Sequence, residues 1–291
     1  MDKKVLVTGA AGLIGRELCK QLKGKFYVVG VDNNFRYENY EPDCDEYTRE
    51  SIPFYLSNTD NDFDYVFHMA AINGTKYFYD IPNQLAENNT ICDFAVFDFV
   101  KDNPNCKLIY ASSSEVVAGS EEFPTPELTD ITIKDIHNPR WSYRLPKILG
   151  ENFLMNSDIN FLIVRFFNSY GKDSASGHFI KDILDKLESG DHTLVGADET
   201  RSFCRVEDSV DAVLNIFDTV SQQVVNVGND EEITVLEAAN IIAAHKKKEV
   251  EWYCVPGKPG SVKRRCPDVT LLRKYYPEFS PRSFSEGIKD L

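Results

Sequence analysis

The chain has 291 residues, 42% of them apolar and 27% charged. Those are the proportions of one large or two modest globular domains, and they exclude wholesale disorder, a collagen-like repeat and a bundle of membrane helices. Asp and Glu number 46 against 32 Lys and Arg, a formal charge of −14, which repels nucleic-acid backbones and anionic membranes and leaves any anionic ligand to a local site.

From the N-terminus, Lys4–Thr8 reads as a buried strand, Leu13–Leu22 as an amphipathic helix and Phe26–Val31 as a second strand. Tyr65–Ala70, Lys107–Ala111 and Asn160–Arg165 are further apolar runs of strand length, with helical stretches at Gln84–Lys101 and Tyr143–Met155. Such alternation predicts an α/β fold, a doubly wound parallel sheet with helices on both faces. After Gly171 the texture changes. Lys172–Gly177 is polar and rich in Gly and Ser, as in a mobile loop; Phe179–Glu188 reads as a helix and Ser189–Arg205 as turn-rich and charged. Glu207–Thr219 and Thr234–Ala244 read as helices around a strand at Val224–Val227, and Pro256–Pro281 is rich in Pro, Gly and basic residues. The expected division is a nucleotide-binding domain at 1–170 plus 206–248 and a smaller, discontinuous cap at 171–205 plus 249–291.

The first residues enter a strand directly, without the apolar core and cleavage site of a signal peptide. No run approaches the roughly 20 apolar residues of a membrane span. The seven cysteines are scattered and never in CxxC spacing, which favours reduced thiols and a cytoplasmic location over a disulfide framework or a zinc site. No metal site is expected, since the five histidines show no ligand spacing.

The strongest local signal is Gly9-Ala10-Ala11-Gly12-Leu13-Ile14-Gly15 between the first strand and the first helix. Gly9 permits a tight turn, Gly12 lets backbone approach a pyrophosphate, and Gly15 allows close helix–strand packing. The second strand ends in Val31-Asp32, placing a carboxylate to accept from an adenosine ribose diol and to repel a 2′-phosphate. NAD is therefore expected as cofactor, with Arg36 the residue that keeps NADP open.

Tyr143-Arg144-Leu145-Pro146-Lys147 puts a phenol and an ammonium on one helix face. A nearby cation lowers a phenol from its reference pKa of about 10, and the phenolate can then take a proton from a sugar hydroxyl. Ser112-Ser113-Ser114-Glu115 supplies hydroxyls just after a strand, at the carboxyl edge where doubly wound sheets bind ligands.

Further motifs run in order: His68-Met69-Ala70-Ala71, Asn89-Thr90-Ile91, Arg165-Phe166-Phe167-Asn168-Ser169-Tyr170-Gly171, Thr200-Arg201-Ser202-Phe203, Asn226-Val227-Gly228-Asn229 and Arg265-Cys266-Pro267-Asp268. With Gly9, Gly12, Gly15, Asp32, Ser113, Tyr143 and Lys147, this set resembles the extended short-chain dehydrogenase/reductases that modify nucleotide sugars, the epimerase/dehydratase/decarboxylase family. The resemblance covers nearly the whole chain. It implies a Rossmann sheet carrying NAD, a cap that binds a nucleotide sugar, and a homodimer formed through the helices at Gln84–Lys101 and Tyr143–Met155.

Residue by residue, the resemblance makes Tyr143 the base at the sugar C4 hydroxyl, Ser113 its hydrogen-bonding partner and Lys147 its electrostatic partner. Leu13, Ile14, Asn33, Ala70, Ala71 and Asn89 join the glycines, Asp32, Tyr143 and Lys147 in the cofactor site. Asn73, Ser114, Asn168, Arg201 and Arg265 are the implied substrate contacts. Three departures stand out: Pro146 precedes Lys147 inside the helix, Val117-Ala118 follows the serine run, and no Asp occurs in Phe54-Tyr55-Leu56-Ser57 to contact adenine, a face that Tyr55, Leu56 or Ser57 is expected to cover.

Family members oxidise a sugar carbon, usually C4, to a ketone and differ in the fate of that ketone. The leading expectation is an epimerase or dehydratase acting on a nucleotide-linked hexose. The alternative is a UDP-glucuronate-type decarboxylase, in which Glu115 and Arg201 act near C5. A third reading, from a different class, is an NAD-binding sensor or scaffold without turnover.

Overall fold

A computed structural model describes residues 3–60, 62–172, 174, 177–258 and 260–291. The loop expected at Lys172–Gly177 falls partly on Asp173, Ala175 and Ser176, which lie outside the described residues. The first half runs β1 (Lys4–Thr8), α1 (Leu13–Leu22), β2 (Tyr27–Asp32), β3 (Glu46–Arg49), α2 (Ile52–Ser57), β4 (Tyr65–His68), α3 (Thr75–Asp80), α4 (Pro82–Lys101) and β5 (Lys107–Ser113). It continues through α5 (Trp141–Met155), β6 (Phe161–Phe166), β7 (Ser169–Tyr170), α6 (Phe179–Ser189), β8 (Thr193–Val195), β9 (Thr200–Ser202) and β10 (Cys204–Arg205). The last third holds α7 (Val206–Ile216), β11 (Gln223–Val227), β12 (Glu232–Thr234), α8 (Val235–His245), β13 (Tyr253–Val255), β14 (Arg264–Arg265) and α9 (Thr270–Tyr275), followed by a short turn of helix at Phe284–Gly287.

Seven strands form one sheet in the order β11-β6-β5-β4-β1-β2-β3, every pair parallel. Val5, Leu6 and Val7 are fully buried, as a strand covered by helices on both faces requires. One apolar cluster packs α1, α7 and α9 on one face; the other packs α2, α4 and α5 on the opposite face. The strand order reverses between β1 and β4, and the crevice that opens beyond their carboxyl ends is where such a sheet holds a ligand.

A third cluster builds the cap from Ile180, Ile183 and Leu187 of α6, Leu194, Phe203, and Ala238, Ala239 and Ile242 of α8. Here the packing departs from the expected boundaries. Helix α8 buries its apolar face in the cap, whereas Val269, Leu272 and Phe279 return to the main core. Local differences also have physical reasons. The turn-rich Ser189–Arg205 contains three short strands because β13, β12 and β14, and β7 pair with them from later or earlier segments. Strand β5 carries Ser112 and Ser113 within it, since both pair with β6. Helix α5 starts two residues before Tyr143, so Pro146 lies inside it, where it removes one backbone N–H.

Candidate active site

A cavity of about 930 Å³ runs from the glycine loop and Asp32 past Ala70, Ala71, Ser113 and Tyr143 to the cap. At its first end, Gly9 sits at φ +72°, and a Cβ there would lie 2.6 Å from the Ala70 nitrogen. A Cβ on Gly15 would lie 2.1 Å from the Gly9 oxygen, so only glycine lets α1 start this close to β1. The Asp32 carboxylate accepts from the Ala11 N–H (3.1 Å) and the Asn34 N–H (2.7 Å), which fixes it at the mouth of the loop. Burial pushes this carboxyl up, against those two bonds. Gly12, Leu13, Ile14 and Asn33 line the same end. This cradle fits a dinucleotide: backbone close enough for a pyrophosphate, a helix N-terminus behind it, and one acid for a ribose diol. Ser51, Ile52 and Pro53 also line the cavity; Tyr55, Leu56 and Ser57, expected to cover an adenine, lie further along α2 and do not line it.

Midway, Tyr143 stacks on Phe78 of α3, with ring centroids 5.3 Å apart. Burial holds its phenol well above the ordinary value, while a hydrogen bond with Ser113 and the charge of Arg36 pull it down. Ser112, Ser113 and Ser114 all line the cavity, and the Ser112 hydroxyl is also engaged with Glu151. Lys147 is buried behind this wall, 3.4 Å from Asp93 and with its Nζ 4.4 Å from the Tyr110 ring centroid. The Arg36 guanidinium lies toward Tyr77 and Gly74, and its Nε and Nη2 are buried with no hydrogen-bond partner among the described residues.

Asn89, expected to touch the cofactor, is instead engaged with the backbone of Ile72: Oδ1 accepts from the Ile72 N–H (2.8 Å) and Nδ2 donates to its carbonyl (3.0 Å). It pins the loop after β4, which carries Ala70, Ala71 and Asn73 on the cavity wall. Asn168, at φ +41°, lines the cavity and donates to the Ser202 carbonyl at 2.8 Å.

Toward the cap, Glu115 is surrounded by guanidinium groups. It accepts from Arg140 (2.9 Å), Arg144 (2.8 Å) and Arg265 (2.6 Å). Burial opposes its ionisation, but these three cations hold the carboxyl well below its ordinary value. Glu115 therefore stands as a fixed anion inside a cationic ring. Arg201 is tied to Glu199 (2.6 Å), Ser261 (3.1 Å) and the Val262 carbonyl (2.9 Å), while Arg264 pairs with Glu232 at 2.7 Å. Arg140 and Arg144 carry no motif signal in the sequence; only folding brings them to Glu115.

Residues 5–228 match the profile of the NAD dependent epimerase/dehydratase family. The chain belongs to that family. Among relatives of this family, a UDP-N-acetyl-alpha-D-glucosaminuronate decarboxylase from Bacillus cytotoxicus is 30% identical over 100% of this chain and 97% of its own length. A structure of a UDP-galactose 4-epimerase is 26% identical, with a TM-score of 0.84 over 99% of this chain and 96% of that one. The fold is also that of the UDP-glucuronic acid 4-epimerase from Bacillus cereus in complex with UDP-glucuronic acid and NAD, at 24% identity and a TM-score of 0.82 over 99% and 97% of the two chains. By its family the chain is an extended short-chain dehydrogenase/reductase of the nucleotide-sugar epimerase, dehydratase and decarboxylase class, with NAD as cofactor. Among the described residues, no helix is long and apolar enough to cross a membrane.

Proposed function

We propose that this enzyme oxidises the C4 hydroxyl of a nucleotide-linked hexose, with Tyr143 taking the hydroxyl proton. The observation that carries this reading is the placement of Tyr143 and Ser113 together in the middle of one cavity whose far end is the glycine cradle. Ser113 orients the hydroxyl, and the charges of Lys147 and Arg36 favour the phenolate. NAD, when bound, supplies the hydride acceptor and a further positive charge. Asn73, Ser114, Asn168, Arg201 and Arg265 all line this cavity, which supports taking the first three as sugar contacts and the two arginines as contacts of the nucleotide diphosphate.

The arginine ring around Glu115 disfavours two outcomes after C4 oxidation. A carboxylate held by three guanidiniums is a poor base for a C5 proton, which 4,6-dehydration and C5 epimerisation both require. Return of the hydride to C4, or loss of a C5 carboxylate as carbon dioxide, needs no such base. The cationic surroundings suit a uronate, and the 30% identical relative is named as a uronate decarboxylase. The favoured second reading is therefore decarboxylation of a nucleotide-linked uronic acid.

Turnover of UDP-, GDP-, dTDP- and CDP-hexoses and uronates with NAD, followed by NMR, tests both readings. Carbon dioxide from UDP-glucuronate or UDP-N-acetylglucosaminuronate supports decarboxylation; a C4 epimer with the carboxylate retained supports epimerisation. Tight NAD binding with every sugar unchanged would replace both by a sensor or scaffold.

The same reading takes the enzyme as a cytoplasmic homodimer, on its free cysteines and on one helical face. The apolar run Phe94–Val100 is mostly used inside the core, with Val96, Phe97 and Val100 buried. The exposed large apolar side chains of these helices are Ile91 of α4 and Leu145, Leu149 and Met155 of α5, at 51, 37, 45 and 52%. Light scattering of wild type and of Leu149→Glu reads this directly: a monomeric wild type removes the dimer.

A further inference from the structure

Behind Tyr143 lies a buried polar chain that the expected site residues do not account for. Thr8 of β1, His68 of β4, Asp93 of α4, Tyr110 of β5 and Lys147 of α5 come from five elements, and none is more than 1% exposed. Asp93 is its centre. Its Oδ1 accepts from His68 Nε2 at 2.9 Å and from Lys147 Nζ at 3.4 Å, and its Oδ2 accepts from the Tyr110 hydroxyl at 2.6 Å. On the far side of the imidazole, Thr8 Oγ1 lies 2.6 Å from His68 Nδ1.

The protons of this chain follow from its surroundings. Burial lowers the His68 pKa below its ordinary value, so the ring is neutral and carries one proton. That proton belongs on Nε2, where it faces a carboxylate, and Nδ1 then accepts from the Thr8 hydroxyl. Burial opposes the charge on Asp93, but Lys147, His68 and Tyr110 together more than offset it, and the carboxyl titrates below the usual range. The result is an ion pair with its remaining lone pairs satisfied, the condition under which a buried pair is tolerated.

We propose that Asp93 is a positioning residue for Lys147: its carboxylate holds the ammonium in one place behind Tyr143, so the Asp93–Lys147 pair sets where the cation stands relative to the phenol. This rests on the reading of Tyr143 as the C4 base. Several charged or titratable groups face the pair and the phenol. Tyr143 is faced by Ser113 and Glu115 from β5 and the turn after it, by Arg36 from the loop after β2, and by Asp93. Asp93 is faced by His68, Tyr110 and Lys147 and has Cys92 beside it on α4; Tyr110 is also faced by Glu151 of α5.

Replacing Asp93 by Asn has two opposed consequences. Loss of the anion eases phenolate formation directly, but at Tyr143 the Asp93 charge ranks behind burial, Ser113 and Glu115. Loss of the counter-ion strips a fully buried ammonium of its partner, so Lys147 no longer keeps its place. Lys147 stands one helical turn from Tyr143, and once it is displaced the phenolate loses a near cation. Positioning by Asp93 requires the second effect to dominate, in which case the phenol titrates higher.

Tyrosinate absorbance of the NAD-loaded protein measures this without a substrate. Subtracting the titration of Tyr143→Phe isolates Tyr143; the same subtraction in an Asp93→Asn background gives the variant. The midpoint is expected to rise by about one pH unit or more in Asp93→Asn. An unchanged or lowered midpoint overturns the proposal and leaves Asp93 a structural residue. If Asp93→Asn does not fold, the imidazole nitrogen shifts of the wild-type holoprotein decide. His68 is expected to hold the Nε2–H form unchanged between about pH 6 and 8, and a titrating or Nδ1–H ring overturns the proposal. Because neither readout depends on turnover, a negative substrate screen leaves both intact.

Discussion

The guanidinium of Arg265 reaches the carboxylate of Glu115 at 2.6 Å across 150 positions of sequence. One residue belongs to the cap tail and the other to the turn after β5, so this contact joins the cap to the sheet at the cavity wall. Arg140 and Arg144 complete the ring from the start of α5. Among the described residues the Arg140 and Arg265 Nε atoms and the Arg144 Nη2 are buried without partners, so the ring holds more cation than Glu115 alone satisfies.

Glu115→Gln removes the anion those three arginines share. Removing one partner of a buried pair costs about 3–5 kcal/mol, and urea unfolding at pH 7 is expected to show a loss of that order. The sign with pH follows from the depressed carboxyl. Its stabilisation is fully present above the ordinary value of 4.5 and is withdrawn only as pH falls through the lower folded value. Wild type and Glu115→Gln should therefore converge in strong acid, and parallel stability curves down to that range would contradict the assignment.

His178 caps α6 beside the cavity, and burial and then the charge of Arg36 lower its pKa to about 4. A histidine held neutral in the fold costs nothing above its ordinary value of 6.5, and its penalty grows as pH falls toward 4. His178→Gln is expected to match wild type at pH 7.5 and to unfold at higher urea than wild type near pH 5 (~pH 5, below the free imidazole value). Equal urea midpoints at both pH values would show that His178 titrates freely.

Tyr143→Phe keeps the ring on Phe78 and deletes only the hydroxyl. A proton-transfer group of this kind contributes about 10²–10⁴-fold, and kcat on the substrate found by the screen is expected to fall by that factor with NAD affinity nearly unchanged. Ser113→Ala should lower kcat less, since Tyr143 remains. Loss of NAD binding in Tyr143→Phe would place the tyrosine in cofactor binding instead.

Gly15→Ala tests the cradle. Its Cβ would meet the Gly9 oxygen at 2.1 Å, so α1 and the glycine loop must move apart. Overpacking of this kind costs about 1–3 kcal/mol, and calorimetric NAD affinity is expected to drop more than about tenfold (the 1.4 kcal/mol equivalence). Gly24→Ala is a control for backbone change away from the site, because nothing lies within 4 Å of its added Cβ; at φ +82° it carries strain but no clash.

Six of the seven strands of the main sheet, helices α1 and α5, and the glycine loop with Asp32 were legible from local pattern; β3, a short edge strand of polar and charged residues (Glu46–Arg49), was not. Period, turn residues and spacing are properties of neighbouring positions, and element ends moved by only one or two residues where pairing with β6 or an extra turn extended them. Ser113, Tyr143 and Asn168 carry motifs and do line one cavity. What each polar group is bonded to could not be read in that way. Asn89 faces Ile72, Arg201 faces Glu199, and Glu115 lies within three guanidiniums because segments far apart in the chain meet there. Asp93 carries no motif at all, yet it joins β4, β5 and α5 beneath the phenol. Charge state is a sum over neighbours in space, weighted by burial, and neither quantity exists until the chain has folded. The net charge of −14 illustrates the same divide. It constrains which polyanions the surface meets, while the cationic ring inside the cavity is a product of the tertiary structure alone.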